Sequence, residues 1–229
     1  MSSETEFKFA VEDERAFDSL LRQLDLPARE FHPSVQQVNH FFDTPSFALR
    51  THGLALRLRE ESGRHLLSLK GAERRRTEDG ALTTRLEEEV RLPLEVALDV
   101  LQGSIHPRDA LAKRLDERDA GALRALDEAL AGAELHYVGK FENRRTRLPL
   151  ISIETGGQGV PVVFELDRTT FPGGAVEHEI EVEVRGAADP AALHRSLVAL
   201  LARAGVPWRA AESKARRFFA SLPEGGKTK

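Results

Sequence analysis

The chain contains no cysteine, which excludes disulfides, zinc–thiolate sites and cysteine nucleophiles while leaving the compartment open. It has no basic surplus either: 33 Lys and Arg against 37 Asp and Glu leave a net charge of −4, which disfavours a general nucleic-acid binder. Long apolar runs are missing. The longest, such as Leu197 to Ala202, fall far short of the ~20 residues a helix needs to cross a bilayer. The opening Met1-Ser2-Ser3-Glu4-Thr5-Glu6 has no basic stretch followed by an apolar one, so the expectation is a cytoplasmic protein with no membrane and no nucleic acid among its partners. Linker-like composition is confined to the turn Gly156-Gly157-Gln158-Gly159 and the tail from Pro223 to Lys229. Residues 1–222 are therefore expected to form one domain, and 223–229 a flexible tail. A chain of 229 residues is long enough to bury a substantial core.

Helical periodicity marks 13–25, where Phe17, Leu20, Leu21 and Leu24 share a face, then 93–102, 108–131, 190–204 and a segment near 211–221. The 190–204 helix is the best punctuated: Asp189 can cap its free amides, Pro190 suits its first turn, and Gly205 can adopt the left-handed stop. Other segments alternate with period two. Leu54, Leu56 and Leu58 oppose Arg57 and Arg59, and Leu67 and Leu69 oppose Ser68 and Lys70. Leu86, Val90 and Leu92 oppose Arg85, Glu87, Glu89 and Arg91. Val162, Phe164 and Leu166 oppose Glu165 and Asp167, while Ile180, Val182 and Val184 oppose Glu177, Glu179, Glu181, Glu183 and Arg185. The first strand fits too, with Phe7 and Phe9 opposed to Glu4, Glu6 and Lys8.

Two architectures accommodate such strands. One is an antiparallel sheet with helices on its apolar face and water on the charged one. The other is a barrel whose charged faces point inward and whose apolar faces are covered by helices. Segregation of sign favours the barrel, because cations gather on 57–70 and 145–147 and carboxylates on 4–6, 165–167 and 179–183. A chamber with a basic and an acidic wall suits a polyanion with its accompanying cation: Arg and Lys bind phosphate oxygens, and carboxylates hold a hard divalent ion.

The residues then carry a resemblance. Glu4-Thr5-Glu6-Phe7-Lys8 is similar to the ExExK signature of the CYTH superfamily, the triphosphate tunnel metalloenzymes. Further elements follow in family order: Phe41-Phe42-Asp43-Thr44-Pro45, Ala48-Leu49-Arg50, the run Leu54 to Glu60, Leu69-Lys70-Gly71, Thr84 to Glu89, Arg144-Arg145-Thr146-Arg147, Phe164 to Arg168, Glu179 to Glu183, and Glu212-Ser213-Lys214-Ala215-Arg216-Arg217. Together they span residues 4 to about 217.

The resemblance implies an α+β fold, a closed eight-stranded antiparallel β-barrel with a charged interior and helices outside. It implies that Glu4 and Glu6 bind a catalytic Mg2+ or Mn2+, and on a strand residues i and i+2 do project the same way and can share one ion. Asp167, Glu179 and Glu181 complete the implied metal set, with Glu183 able to replace either of the last two. Lys8 is implied to touch the phosphates or help activate water. Arg57, Arg59, Lys70, Arg85, Arg145 and Arg147 match phosphate-clamping positions; Arg144 lies on the opposite face from Arg145, and Lys140 stands in reserve. Glu87 and Glu89 are expected to brace arginines, Glu165 matches an acidic position, and Lys214 either reaches a tunnel mouth or lies on a helix surface. The implied function is metal-dependent hydrolysis of inorganic triphosphate by a monomer or homodimer. Alternatives are a class IV adenylate cyclase, a thiamine triphosphatase and a non-catalytic polyphosphate-binding module.

Other features have plainer expectations. Gly225-Gly226-Lys227-Thr228 resembles the end of a P-loop, but Ser221 stands where the first glycine belongs. The 8 histidines show no HxH or HExxH spacing. Trp208 and Phe218-Phe219 are expected to pack the C-terminal helix on the barrel, and Asp43 to form a turn. Phe42 stands where the family carries a tyrosine, and 104–135, which has no readable motif, is expected to form outer helices.

Overall fold

A computed structural model describes residues 2–71, 74–75, 77–115, 120–184 and 189–222. The strands and helices in chain order are β1 (Ser2–Val11), α1 (Glu14–Gln23), β2 (Ser34–Asp43), α2 (Ala48–Thr51), β3 (Ala55–Glu61), β4 (Arg64–Lys70), β5 (Arg74–Arg75) and β6 (Leu82–Leu92). They continue as α3 (Leu94–Gln102), α4 (Pro107–Ala112), α5 (Ala120–Leu130), β7 (His136–Arg147), β8 (Ile151–Thr155), β9 (Gln158–Thr170), β10 (Val176–Val184), α6 (Pro190–Arg203), β11 (Arg209–Ala210) and α7 (Lys214–Ser221).

Eight strands run in the order β1-β10-β9-β7-β2-β3-β4-β6, each antiparallel to the next. The pairing of β1 with β6, from Ser2↔Glu87 to Phe7↔Leu82, joins the ends. The expected closed eight-stranded barrel is therefore present. Short β5, β8 and β11 extend it beside β6, β9 and β1. Closure leaves the barrel strands without an open edge.

The apolar sides of these strands face outward and are buried by helices. Phe7, Phe9, Phe164, Leu166, Ile180 and Val182 pack with Phe17, Leu20 and Leu21 of α1 and Leu193, Leu197 and Leu201 of α6. On the other flank Leu56, Leu58, Leu67, Leu69 and Val90 pack with α3, α4 and α5 through Val100, Leu111 and Leu126. Phe42 belongs to this outer cluster, so its lost hydroxyl does not concern the tunnel. The expected 108–131 helix divides into α4 and α5, with residues 116–119 outside the described residues. Other helices agree closely with expectation: Asp189 Oδ1 accepts from the amides of Ala191 and Ala192 and Pro190 opens α6, while α7 starts at Lys214 with Ser213 as its cap. Gly205, just past α6, has φ 65, the left-handed conformation glycine adopts without strain.

Asp43, 1% exposed, does form a turn. Its carboxylate accepts from the amides of Thr44 at 2.7 Å, Leu49 at 2.9 Å and Arg50 at 3.0 Å, which organises the entry into α2. The C-terminal helix does more than rest on the barrel. Phe218 stacks on Phe41, ring centroids 4.7 Å apart, and lies 6.0 Å from Phe141; both partners line the interior cavity. Gly139 in β7 makes room: a Cβ there would meet the Phe218 ring at 3.3 Å. Trp208 packs edge-on against Phe9 at 4.9 Å, on the outer side. No helix among the described residues is long and apolar enough to cross a membrane.

Candidate functional site

Because β-strand side chains alternate faces, burying the apolar faces outside turns the charged faces into the tunnel. The cavity it encloses is lined by Glu6 and Lys8 of β1, Arg57 and Arg59 of β3, Lys70 of β4, Arg85 of β6, Arg145 of β7, Glu181 of β10 and Lys214 of α7, with Gln37, Asn39, Phe41 and Phe141.

The acidic wall comes from β9 and β10, whose register sets Glu179 opposite Asp167 and Glu181 opposite Glu165. Asp167 and Glu179 are 0% and 1% exposed. Such buried carboxylates require partners, and three cations supply them. Arg145 forks onto Asp167 with bonds of 2.8 and 2.6 Å and also reaches Glu165 and Glu181. Lys214 Nζ stands 2.7 Å from Glu181, 2.8 Å from Asp167 and 3.4 Å from Glu179. Arg217, one turn further along α7, donates to Glu177 and Glu179. Glu179 nevertheless keeps Oε1 buried without a hydrogen-bond partner.

The opposite wall is basic, with carboxylates threaded through it. Lys70 donates to Glu87 at 2.7 Å, Arg59 lies 3.2 Å from Glu89, and Arg57 lies 3.5 Å from Glu87. Arg85 and Lys8 lie 3.2 and 2.9 Å from Glu6. The Nε–H groups of Arg57 and Arg59 are buried and make no hydrogen bond, Arg59 Nε facing the Glu61 carboxylate at 3.6 Å. Burial, reinforced by the neighbouring charge of Arg59 and opposed by Glu87 and Glu89, lowers the Arg57 pKa to about 10. It stays charged at neutral pH in surroundings that call for an anion.

The carboxylates around the two cavity lysines raise the pKa of both. Burial alone would lower the Lys8 pKa, but Glu6, Glu181 and Glu179 outweigh burial and Arg85, and it rises. Lys214 rises as well, burial being outweighed by Asp167, Glu179 and Glu181. The raised pKa favours the ammonium form of Lys8, the form that would touch phosphate oxygens. Burial pushes the Glu165 carboxyl up to about 7, against the pull of Arg145 and with the push of Glu181 and Asp167. Its folded pKa exceeds the ordinary 4.5, so the stability it contributes is full below that value and is lost as pH rises through about 7. Glu165→Gln is thus expected to melt with a smaller drop in Tm between about pH 5 and about pH 8 than the parent protein; an unchanged pH profile in thermal melts would contradict this.

The structure brings most expected site residues together. Glu6, Lys8, Arg57, Arg59, Lys70, Arg85, Arg145, Glu181 and Lys214 line the cavity, and Asp167 and Glu179 are in contact with its cations. Glu4 lies in β1 opposite Arg85, but its side chain is outside the described residues. Arg147 is half-exposed toward Glu183 at 3.4 Å. Arg144 faces outward to Glu14 at 2.6 Å, as does Lys140 to Glu142 at 3.5 Å. One placement changes: Arg145 sits with the acids and not in the basic wall, because β7 pairs with β9 and sets it opposite Asp167. Of the two places expected for Lys214, the structure shows it reaching the tunnel, where the carboxylates expected to bind metal hold it. Sequence reading assigned no role to Arg217 and missed the inward amides Gln37 and Asn39 of β2 and Asn143 of β7.

Among the described residues no three acidic or histidine side chains converge in a metal-holding arrangement. The nearest approach, among Asp167, Glu179 and Glu181, surrounds the Lys214 ammonium. The donor set is all carboxylate oxygen, the chemistry a hard divalent cation takes, and the unpaired Glu179 Oε1 is an acceptor such an ion would satisfy. The residues thus fit a divalent cation in kind.

Comparison with known proteins agrees with this architecture. The CYTH domain family model matches residues 2–219. YjbK of Bacillus subtilis (strain 168), provisionally named as a triphosphatase, is 38% identical over 71 residues, which cover 31% of this chain and 36% of that protein. The chain thus matches about a third of that relative's length. HpAC1 from Hippeastrum, described as a provisionally assigned adenylyl cyclase with a dominant triphosphatase activity, has 25% identity and a TM-score of 0.73 over 96% of this chain and 98% of that one. A provisionally assigned adenylate cyclase of Bacillus halodurans shares the fold, with a TM-score of 0.64 at 22% identity over 96% of this chain and 100% of that one. With the closed barrel and its charged interior, a family match over nearly the whole length leads to one conclusion: this chain belongs to the CYTH domain family.

Proposed function

We propose that the protein is a divalent-metal-dependent triphosphatase that hydrolyses inorganic triphosphate to pyrophosphate and phosphate. The observation that carries this reading is the pair of buried Nε–H donors of Arg57 and Arg59, neither making a hydrogen bond and the second facing Glu61 only at 3.6 Å, set in one chamber with a wall of buried carboxylates. A linear chain of phosphates supplies acceptor oxygens to those donors. The activity described for HpAC1 and the name given to YjbK support the same class of reaction.

Arg57, Arg59, Lys70 and Arg85 would neutralise and straighten the triphosphate, with Lys8 and Arg147 as further cationic contacts. Glu4, Glu6, Asp167, Glu179 and Glu181 would hold Mg2+ or Mn2+, with Lys214 yielding its place among the last three. The ion, when bound, supplies additional neutralisation of the charge that develops on phosphate oxygens. Lys8, kept protonated, acts on the substrate as a fixed positive charge. Arginine forks positioned around the substrate would stabilise the dispersed charge of phosphoryl transfer, where positioning and electrostatics supply most of the rate.

A second cavity adjoins the tunnel beyond Lys70 and Arg85, lined also by Arg50, Leu54, Arg216 and Phe219. The Phe219 ring is covered by Arg50, 5.6 Å from its centroid, so this space offers cations in preference to an open aromatic face for a base. That favours the inorganic substrate. The test is phosphate release from inorganic triphosphate, thiamine triphosphate and ATP with Mg2+, Mn2+ or EDTA, with cyclic AMP read in the ATP reactions. Fast metal-dependent cleavage of inorganic triphosphate without cyclic AMP is the expected result; cyclic AMP with pyrophosphate would replace the reading with a lyase.

A further inference from the structure

The tunnel carries three inward amides, Gln37 and Asn143 paired across β2 and β7 and Asn39 two residues along β2, and among them Asn39 is left incomplete. Thr169 Oγ1 donates to Asn143 Oδ1 at 2.9 Å, Asn143 Nδ2 donates to Gln37 Oε1 at 3.0 Å, and Gln37 Nε2 donates to Glu61 at 2.7 Å. Asn39, the next inward residue after Gln37 on β2, is 1% exposed, and its Oδ1 has no hydrogen-bond partner. It stands opposite Arg59 on β3 and Phe141 on β7 and lines the same cavity as Arg57 and Arg59. A buried carbonyl without a donor loses the hydrogen bond that water gave it and is destabilising. The barrel meets that requirement for the neighbouring amides and leaves it unmet here.

The sense of the mismatch is informative. Beside Asn39, the Nε atoms of Arg57 and of Arg59, the latter 3.6 Å from Glu61, are donors without a hydrogen bond, whereas Asn39 offers an acceptor without one. A group that completes all three must bring acceptor oxygens to the guanidiniums and a hydrogen to the amide. An ionised phosphate chain provides only acceptors, so the donor has to be a second molecule beside the phosphate, and the small donor that reacts with a phosphoric anhydride is water. Resting on the triphosphatase reading, we propose that Asn39 Oδ1 accepts a hydrogen bond from the attacking water and aligns it on the terminal phosphorus held by Arg57 and Arg59. The water oxygen forms the new P–O bond and the bridging P–O bond breaks, its electron pair leaving with pyrophosphate. One water hydrogen stays on the phosphate product and the other is released to solvent. Asn39 is a positioning residue in this step and takes no proton itself.

The two ends of the amide make the assignment separable by experiment. Asn39→Asp keeps an oxygen where Oδ1 stands, whereas Asn39→Ala removes both ends. Steady-state hydrolysis of inorganic triphosphate with Mg2+, together with thermal melting, is measured for the parent protein and both variants. Asn39→Ala is expected to lower kcat by about 10²-fold, the scale of removing one well-placed hydrogen-bonding group, with KM within about threefold. Asn39→Asp is expected to retain more of kcat than Asn39→Ala. If Asn39→Asp is the poorer variant and its KM rises, the amide nitrogen grips a phosphate oxygen and the proposal is overturned. Unchanged kcat and KM in Asn39→Ala with a lowered Tm would make the residue a structural strut, also overturning it. A parent protein inert toward inorganic triphosphate would instead bring down the triphosphatase reading, and the water assignment with it.

Discussion

Glu179→Gln should reduce metal-dependent triphosphate hydrolysis by about 10³-fold while leaving the protein folded, since a bound cation contributes several kcal/mol to such a reaction and each 1.36 kcal/mol is tenfold in rate. The expectation of an intact fold comes from the state of the carboxyl. Burial raises its pKa, and the negative charge of Glu181 adds to that against the pull of Lys214 and Arg217. A neutral isostere is therefore tolerated better here than at Glu181, whose pKa is held well below the ordinary range: burial pushes it up, but Lys214, Arg145 and Lys8 more than offset that. Activity suffers for a different reason. Oε1 of Glu179 is buried without a partner, and an amide in its place loses the charge that would attract a divalent ion. Phosphate release with saturating Mg2+, titration calorimetry with Mn2+ and a thermal melt check the three parts. A variant that binds Mn2+ as the parent does and keeps most of its activity would remove Glu179 from the metal set.

Arg57→Met is expected to weaken substrate binding sharply with no loss of stability. A hydrogen bond to a charged group contributes about 1.5–3 kcal/mol, so KM for triphosphate should rise by about 10- to 10²-fold. The folded protein, however, does not favour this charge: burial and the proximity of Arg59 bring its pKa down to about 10. Its acidic neighbours are not left alone by the substitution, because Glu87 keeps Lys70 at 2.7 Å and Glu89 keeps Arg59 at 3.2 Å. Relieving repulsion between cations should therefore leave Tm level or raise it, the pattern of a residue kept for function at some cost to stability. A fall in Tm with unchanged KM would show that Arg57 serves the barrel and not the ligand.

How far the site could be read in advance depended on which side of each strand was covered. In β9 and β10 the outer face packs on helices, so Phe164 and Leu166 alternate with Glu165 and Asp167, and Ile180 and Val182 with Glu179 and Glu181. In β7 the outer face is exposed at Lys140, Glu142 and Arg144, while Phe141, Asn143 and Arg145 turn inward. Both faces are then polar, and the alternation that signals a strand disappears. β2 is similarly masked, because its inward Gln37 and Asn39 carry no charge and its outer face includes His40, bonded to Glu60 and Tyr137. That masking hid the inward amides, Asn39 among them.

The sequence by itself determined the alternation of apolar and charged residues, the sign of the charge on each strand, the caps of α6 and the family to which the chain belongs. These are local properties, decided by residues a few positions apart. Tertiary structure decided which charges meet. Closing β1 onto β6 brought Arg85 to Glu6, pairing β7 with β9 moved Arg145 from the expected basic wall to Asp167, and docking α7 at the barrel's end placed Lys214 and Arg217 among the acids. Each of these partnerships spans 22 or more residues of chain. Side-chain periodicity tells which face a residue occupies but carries no information about the strand or helix that will face it; that depends on register and closure, which only the folded chain settles.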